Sequence, residues 1–308
     1  ILALQGLGGW VRLPNVPMPV HPDVRLRLVQ PNIPQAEKWI PSKRLDNLYQ
    51  QIQLSQSEGW ESITHVIWPE TASTYPLLGD SPIYRNLVAQ AAPQNGWLLT
   101  GAPRRTERGK PLQIWNSLFA INAHGEIGDV YDKSHLVPFG EYVPLADYIP
   151  LGKLTAGRID FTPGSGVRTV KIANTPSYSP LICYEVIFPG KVVDRASRPE
   201  WMLNVTNDAW FGLSAGPYQH FAMATLRAVE EGLPVVRAAN TGISGVIDPY
   251  GRVISRLALG HRGKDDVQLP QPLVWTVFSE FGNLGPVLVA VLMMLVLNGR
   301  SWLRQFWS

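Results

Sequence analysis

Cysteine is nearly absent: the 308 residues contain one, Cys183. A single thiol closes no intramolecular disulfide and builds no thiolate cluster, which excludes a disulfide-stapled scaffold and a structural zinc site. Histidine is scarce as well, six in all, and no two stand at H-x-x-x-H spacing, so no metal site is expected. Long runs of like charge are missing, and a net charge of +3 without a dense Lys/Arg tract or a nucleic-acid motif reads against a DNA or RNA partner. Internal repeats and low-complexity tracts are missing too, which excludes a solenoid.

What the chain has is globular composition: 45% hydrophobic residues, 17% charged, and an unusual eleven Trp. Val24, Leu26 and Leu28 alternate with polar residues in VRLRLVQ and predict a strand. Leu45, Leu48, Tyr49 and Ile52 recur at helical spacing, predicting a helix from Ser42 with that serine as N-cap. THVIW predicts a short strand and SPIYRNLVAQAA a helix; WLLTG, QIWNSLFAIN and IGDVYD predict strands. Further strands are expected at VRTVKIA, PLICY, WMLNVT, PVVRAA, SGVID and RVISR, with a helix across PYQHFAMATLRAVEEG. The result is one mixed α/β domain over residues 22–265.

Both ends differ from this middle. Phe281 through Gly299 carries no charged residue, and Pro286 to Leu297 is an unbroken apolar run. That window reaches the roughly 17 residues a bilayer span requires, so a transmembrane helix is expected over 281–299, a buried C-terminal helix being the alternative. Arg300, Trp302, Arg304, Phe306 and Trp307 follow, a basic-aromatic mixture suited to a membrane boundary. The positive-inside tendency assigns 300–308 to a cytoplasmic tail and the domain to the opposite side. Residues 1–21 lack the basic and apolar regions of a signal peptide and are expected to be a linker from a membrane region upstream. Residues 266–280 are expected to link domain and span.

Three strand ends carry chemistry. VIWPET runs into Glu70, VYDKSHLVPFGEY presents Lys133 and then Glu141, and PLICYE delivers Cys183 and Glu185. Active groups of α/β sheets gather at strand carboxyl ends, where loops converge. Taken singly, each is more often a solvated loop residue, or for Cys183 a packing residue. As a set they are coherent: a carboxylate can take the thiol proton, while an ammonium stabilises the thiolate and a later oxyanion. The backbone N–H of Tyr184 is a second oxyanion donor. A Cys-His arrangement through His65 or His135 is the minor alternative.

WPET, YDKSHLVPFGEYVP and LICYEVIFPG resemble, in that chain order, the Glu, Lys and Cys motifs of the nitrilase superfamily. VQPNIPQAEKW, FGEYVP, NVTNDAWFG and RAANTGISGVIDPYG are closer to its apolipoprotein N-acyltransferase branch. The resemblance covers about residues 24–256. It implies an αββα sandwich followed by a C-terminal transmembrane helix, and no cofactor. It implies Cys183 as nucleophile, Glu70 as general base and Lys133 as stabiliser, with Glu141, Tyr184 and Glu185 near the acyl-enzyme and Trp39 near the site. The implied partners are a phospholipid acyl donor, a diacylglyceryl apolipoprotein acceptor and membrane lipid. The implied location is the bacterial cytoplasmic membrane, with the catalytic domain on its periplasmic face.

The segment from Ser134 to Phe161 is too long and too apolar for a solvated loop. It is expected to be a lid or groove wall for acyl chains, with Trp210 and Phe211 of NDAWFG as a second lid. Two other classes compete: a membrane-tethered amidase acting on a small C–N substrate, and a non-catalytic envelope protein in which Cys183 only packs.

Overall fold

Period-two burial on both faces of the strands generates the architecture. In strand β1 (Val20–Gln30), Leu26 and Leu28 point to one side and Val29 to the other, and all three are buried. The computed structural model describes residues 2–79, 82–107, 109–144 and 160–305. The remaining strands are β2 (His65–Ile67), β3 (Trp97–Arg105), β4 (Ile114–Ile121), β5 (Ile127–Asp132), β6 (Tyr178–Ile182), β7 (Trp201–Thr206), β8 (Val235–Ala239), β9 (Ser244–Ile247), β10 (Val253–Leu257) and β11 (Gly263–Pro270).

They form two sheets, ordered β11-β1-β2-β3-β4-β5 and β10-β9-β8-β7-β6. Within each sheet three neighbours run parallel, β1-β2-β3 and β6-β7-β8. The sheets pack face to face through Leu26, Leu28, Ile67, Leu99 and Leu118 on one side and Ile182, Leu203, Val205 and Val236 on the other. The short helix α2 spans Gln35–Lys38, and helix α3 (Pro41–Ser55) and helix α4 (Ile83–Ala89) cover the first sheet's outer face, through Leu48, Ile52 and Val88. Helix α5 (Gly216–Glu231) covers the second, through Phe221, Ala224 and Ala228. This is the expected αββα layering.

The differences have local causes. VRTVKIA makes only a single bridge, Val170 to Tyr178, because Arg168 anchors that segment by side chain to Asp129 and the Val130 carbonyl. Strand β11 is absent from the sequence reading since Lys264, Asp265 and Asp266 obscure its alternation. Asp266 instead pairs at 2.7 Å with the buried Arg27 of β1, and β11 carries the sheet past residue 265. Helix α3 starts at Pro41 with no side-chain cap, which leaves Ser42 inside the first turn. Residues Leu2–Arg12, within the expected linker, wind into helix α1, and Arg12 Nη2 donates to the Val229 carbonyl at 3.3 Å.

At the C-terminus helix α6 (Val277–Phe281) is capped by Thr276, whose hydroxyl accepts from Ser279 N at 2.9 Å. Gly282, at φ 55°, then breaks the winding before helix α7 (Leu284–Gln305) begins. Leu284, Val287, Leu288, Val291, Leu292 and Leu295 each leave 47–64% of their surface exposed, so α7 is not a buried core helix. Among the described residues no helix is long and apolar enough to cross a membrane. The span expected over 281–299 is therefore not shown, its first residues lying in α6 and at the Gly282 break.

Candidate active site

Glu70 follows β2 and is 7% exposed. Thr71, at φ 49°, turns the chain away behind it. Strand β3 passes underneath at Gly101, where a Cβ would lie 2.4 Å from Thr71 N and 2.8 Å from Glu70 Cα, so the close approach requires glycine. One carboxylate oxygen of Glu70 accepts from Asn116 Nδ2 at 2.7 Å and the other from Asn207 N at 2.8 Å. Burial pushes its pKa up; the Lys133 ammonium and the Asn116 bond oppose that, and the net direction is upward.

Lys133 follows β5 and is 1% exposed. Its Nζ lies 2.8 Å from Glu141 Oε2 and 3.8 Å from Glu70 Oε1. Glu141 reaches it through a tight turn in which Glu141 N donates to the Val137 carbonyl and Val137 N donates back to Oε2. Asn116 Nδ2 also donates to Glu141 at 3.2 Å, tying the two carboxylates together. Burial lowers the Lys133 pKa, but Glu70, Glu141 and Cys183 outweigh it and hold the ammonium charged.

Cys183 begins a 3-10 turn, Cys183–Ile187, where β6 ends, and takes φ 53°. The left-handed backbone is rare for a side-chain-bearing residue and turns the thiol out of the strand line. The expected strand PLICY accordingly stops at Ile182. Burial, then the Glu70 carboxylate, push the thiol up to about 12, against the Lys133 ammonium and a hydrogen bond with Thr206. At neutral pH the sulfur keeps its proton, so attack requires a base, and Glu70 is the carboxylate nearest in electrostatic effect.

Glu185, 2% exposed, braces the site from behind. It accepts from Tyr131 Oη at 2.8 Å, Ser134 N at 2.8 Å, His135 N at 3.0 Å and Ile182 N at 2.8 Å, tying the Cys183 turn to the segment after Lys133. Tyr184 is half-buried, edge-on to Phe188, and its N–H lies at the open N-terminal end of the turn. Trp39, Trp210 and Phe211 are 49%, 54% and 43% exposed and make none of the bonds that join Glu70, Lys133 and Cys183. Of the expected lid, 134–144 and 160–161 are described, and Phe161 N donates to the Glu141 carbonyl. Residues 145–159 lie outside the described residues.

The sequence reading missed several groups. Lys38, buried beside Trp39 in NIPQAEKW, donates from Nζ to the Glu70 carbonyl at 3.0 Å. Burial lowers its pKa to about 8 against the opposing charges of Glu70 and Cys183. Asn116 and Asn207 orient Glu70, and Asp208, His220 and Arg237 form a buried ionic cluster behind Cys183. The only signal for these was polarity in strands and motifs otherwise apolar.

A thiol, a carboxylate and an ammonium thus meet at the ends of β6, β2 and β5, the set of groups that nucleophilic acyl chemistry would need. The family model for carbon-nitrogen hydrolases matches residues 25–269. The chain belongs to the carbon-nitrogen hydrolase family. Solved structures share its fold: an amidase of the nitrilase superfamily from Nesterenkonia AN1 superposes with a TM-score of 0.58 at 20% identity, covering 83% of this chain and 94% of that one. A nitrilase-superfamily protein from Saccharomyces cerevisiae gives 0.57 at 17% identity, covering 80% and 90%. In sequence, the apolipoprotein N-acyltransferase of Rhodopseudomonas palustris is 42% identical over 310 residues, 96% of this chain and 58% of that protein. That of Rickettsia bellii is 42% identical over 291 residues, 94% of this chain and 57% of that protein. The chain thus spans somewhat over half the length of these relatives.

Proposed function

We propose that this carbon-nitrogen hydrolase chain is the catalytic part of an apolipoprotein N-acyltransferase, working through a thioester on Cys183. The observation that carries this over an amidase is the 42% identity to the Rhodopseudomonas palustris N-acyltransferase across 96% of the chain, against a likeness of fold alone to the solved amidase. Glu70 takes the Cys183 proton as Sγ attacks the acyl carbonyl carbon of a phospholipid. The C–S bond forms and the carbonyl π pair moves onto oxygen, where the Lys133 ammonium and the Tyr184 N–H stabilise it. Collapse breaks the ester C–O bond, and the departing alkoxide collects the proton from Glu70. The α-amine of a diacylglyceryl cysteine then attacks the thioester; the C–N bond forms, the C–S bond breaks, and the proton shed by the amine passes through Glu70 to the Cys183 sulfur, which leaves as thiol.

The exposed Trp39, Phe139, Trp210 and Phe211 form an apolar rim, with 134–144 and the Asp208–Phe211 turn as lids. The apolar α7 would sit in lipid, holding the domain at the outer face of a bacterial cytoplasmic membrane. The intact protein, incubated with phospholipid vesicles, is expected to gain one acyl mass that hydroxylamine removes and Cys183→Ala abolishes. A lipopeptide with a diacylglyceryl N-terminal cysteine then takes that mass. Turnover that releases only free carboxylic acid, or ammonia from a small amide, would assign the chain to hydrolysis instead.

A further inference from the structure

Behind Cys183 lies a buried polar cluster that the reaction above does not use. The Cys183 carbonyl accepts from His220 Nε2 at 3.2 Å and from Asn204 Nδ2 at 3.3 Å. A carbonyl only accepts, which assigns a proton to Nε2. Both donors are braced by Arg237, whose Nη1 binds Asn204 Oδ1 and whose Nη2 lies 3.0 Å from His220 Nδ1. Arg237 Nη2 also lies 2.7 Å from Asp208 Oδ2, and Asp208 Oδ1 lies 2.9 Å from His220 Nδ1. Arg237, Asp208 and His220 are 0%, 1% and 4% exposed. Gly242 leaves room for this carboxylate: a Cβ there would lie 2.3 Å from Asp208 Oδ2.

The consequence follows from the peptide bond. The carbonyl of Cys183 and the N–H of Tyr184 belong to one planar trans unit and point in opposite directions. Clamping the carbonyl inward therefore aims the Tyr184 N–H outward, and holds Cys183 at its φ of 53°. The geometry points to His220, supported by Asp208 and Arg237, as a positioning residue that sets the Tyr184 N–H for the oxyanion. This rests on the reading that Cys183 attacks an acyl carbonyl. His220 touches no reacting atom; it acts through the Cys183–Tyr184 peptide.

Two chemistries at the same sulfur separate this role from general support. Acylation by p-nitrophenyl butyrate or phospholipid passes through an oxyanion, whereas alkylation by iodoacetamide does not. In the intact protein, His220→Ala should slow Cys183 acylation on the order of 10²-fold, as for loss of one oxyanion donor, and leave alkylation within about threefold. His220→Gln, whose amide can donate to the same carbonyl, should recover part of the loss. Equal loss of both reactions, or unchanged acylation in a variant that melts like the wild type, would overturn the assignment. The nitrophenyl series judges His220 even if phospholipid fails to acylate the wild type, an outcome that removes the lipid reading alone.

Discussion

Glu70 is held between burial, which favours its neutral form, and Lys133 and Asn116, which favour the carboxylate. The base must be ionised to take the Cys183 proton, so acylation should rise with pH through a Glu70 pKa displaced above the ordinary carboxylate range. Asn116→Ala removes a bond that favours the ionised form, and should move that rising limb to higher pH in a pH–rate profile. Glu70→Gln keeps the shape and should cost roughly 10²–10⁴ in acylation rate, with circular dichroism unchanged. At this scale Glu70, Lys133 and Cys183 are legible in sequence, because each is an ionisable group closing an apolar strand. Asn116, Asn207 and Lys38 are not, since their roles exist only through partners 32 to 137 residues away along the chain.

Among elements, the joint between β2 and β3 sets the position of Glu70. Gly101→Ala would push a methyl group into Thr71 N and Glu70 Cα. It should destabilise the protein by about 1–3 kcal/mol in urea titration and lower acylation together with stability, since the displaced backbone is that of Glu70 itself. Strands that are short, largely apolar runs buried on both faces, such as β4 and β7, announce themselves in sequence. Strand β11 does not, because Lys264, Asp265 and Asp266 hide its alternation; Asp266 pairs across to Arg27 and, within the strand, with Lys264. VRTVKIA errs in the other direction: its composition suits a strand, yet beyond the single Val170–Tyr178 bridge its anchoring is by the Arg168 side chain.

Across the whole molecule, the site joins two sheets, with Glu70 and Lys133 from one and Cys183 and Asn207 from the other. At the C-terminus, α7 presents apolar side chains to the surroundings rather than to the sandwich. Ending the chain at Phe281 should therefore shift the melting temperature by no more than a few degrees, while reducing cosedimentation with phospholipid vesicles. A large loss of stability would instead make α7 a structural part of the domain.

The sequence by itself determined the mixed α/β class, the succession of most strands along the chain and the three ionisable groups, Glu70, Lys133 and Cys183, that close strands at the proposed site. Alternation, strand-end charge and motif spacing are local properties, and they survive in a linear reading. Tertiary structure decided which groups surround the thiol. It gave Glu70 its raised pKa and Glu185 its bracing role, and it supplied Cys183 with a carbonyl clamp from α5 and β7. Those outcomes depend on desolvation and hydrogen bonding between residues brought together only when the two sheets close on each other.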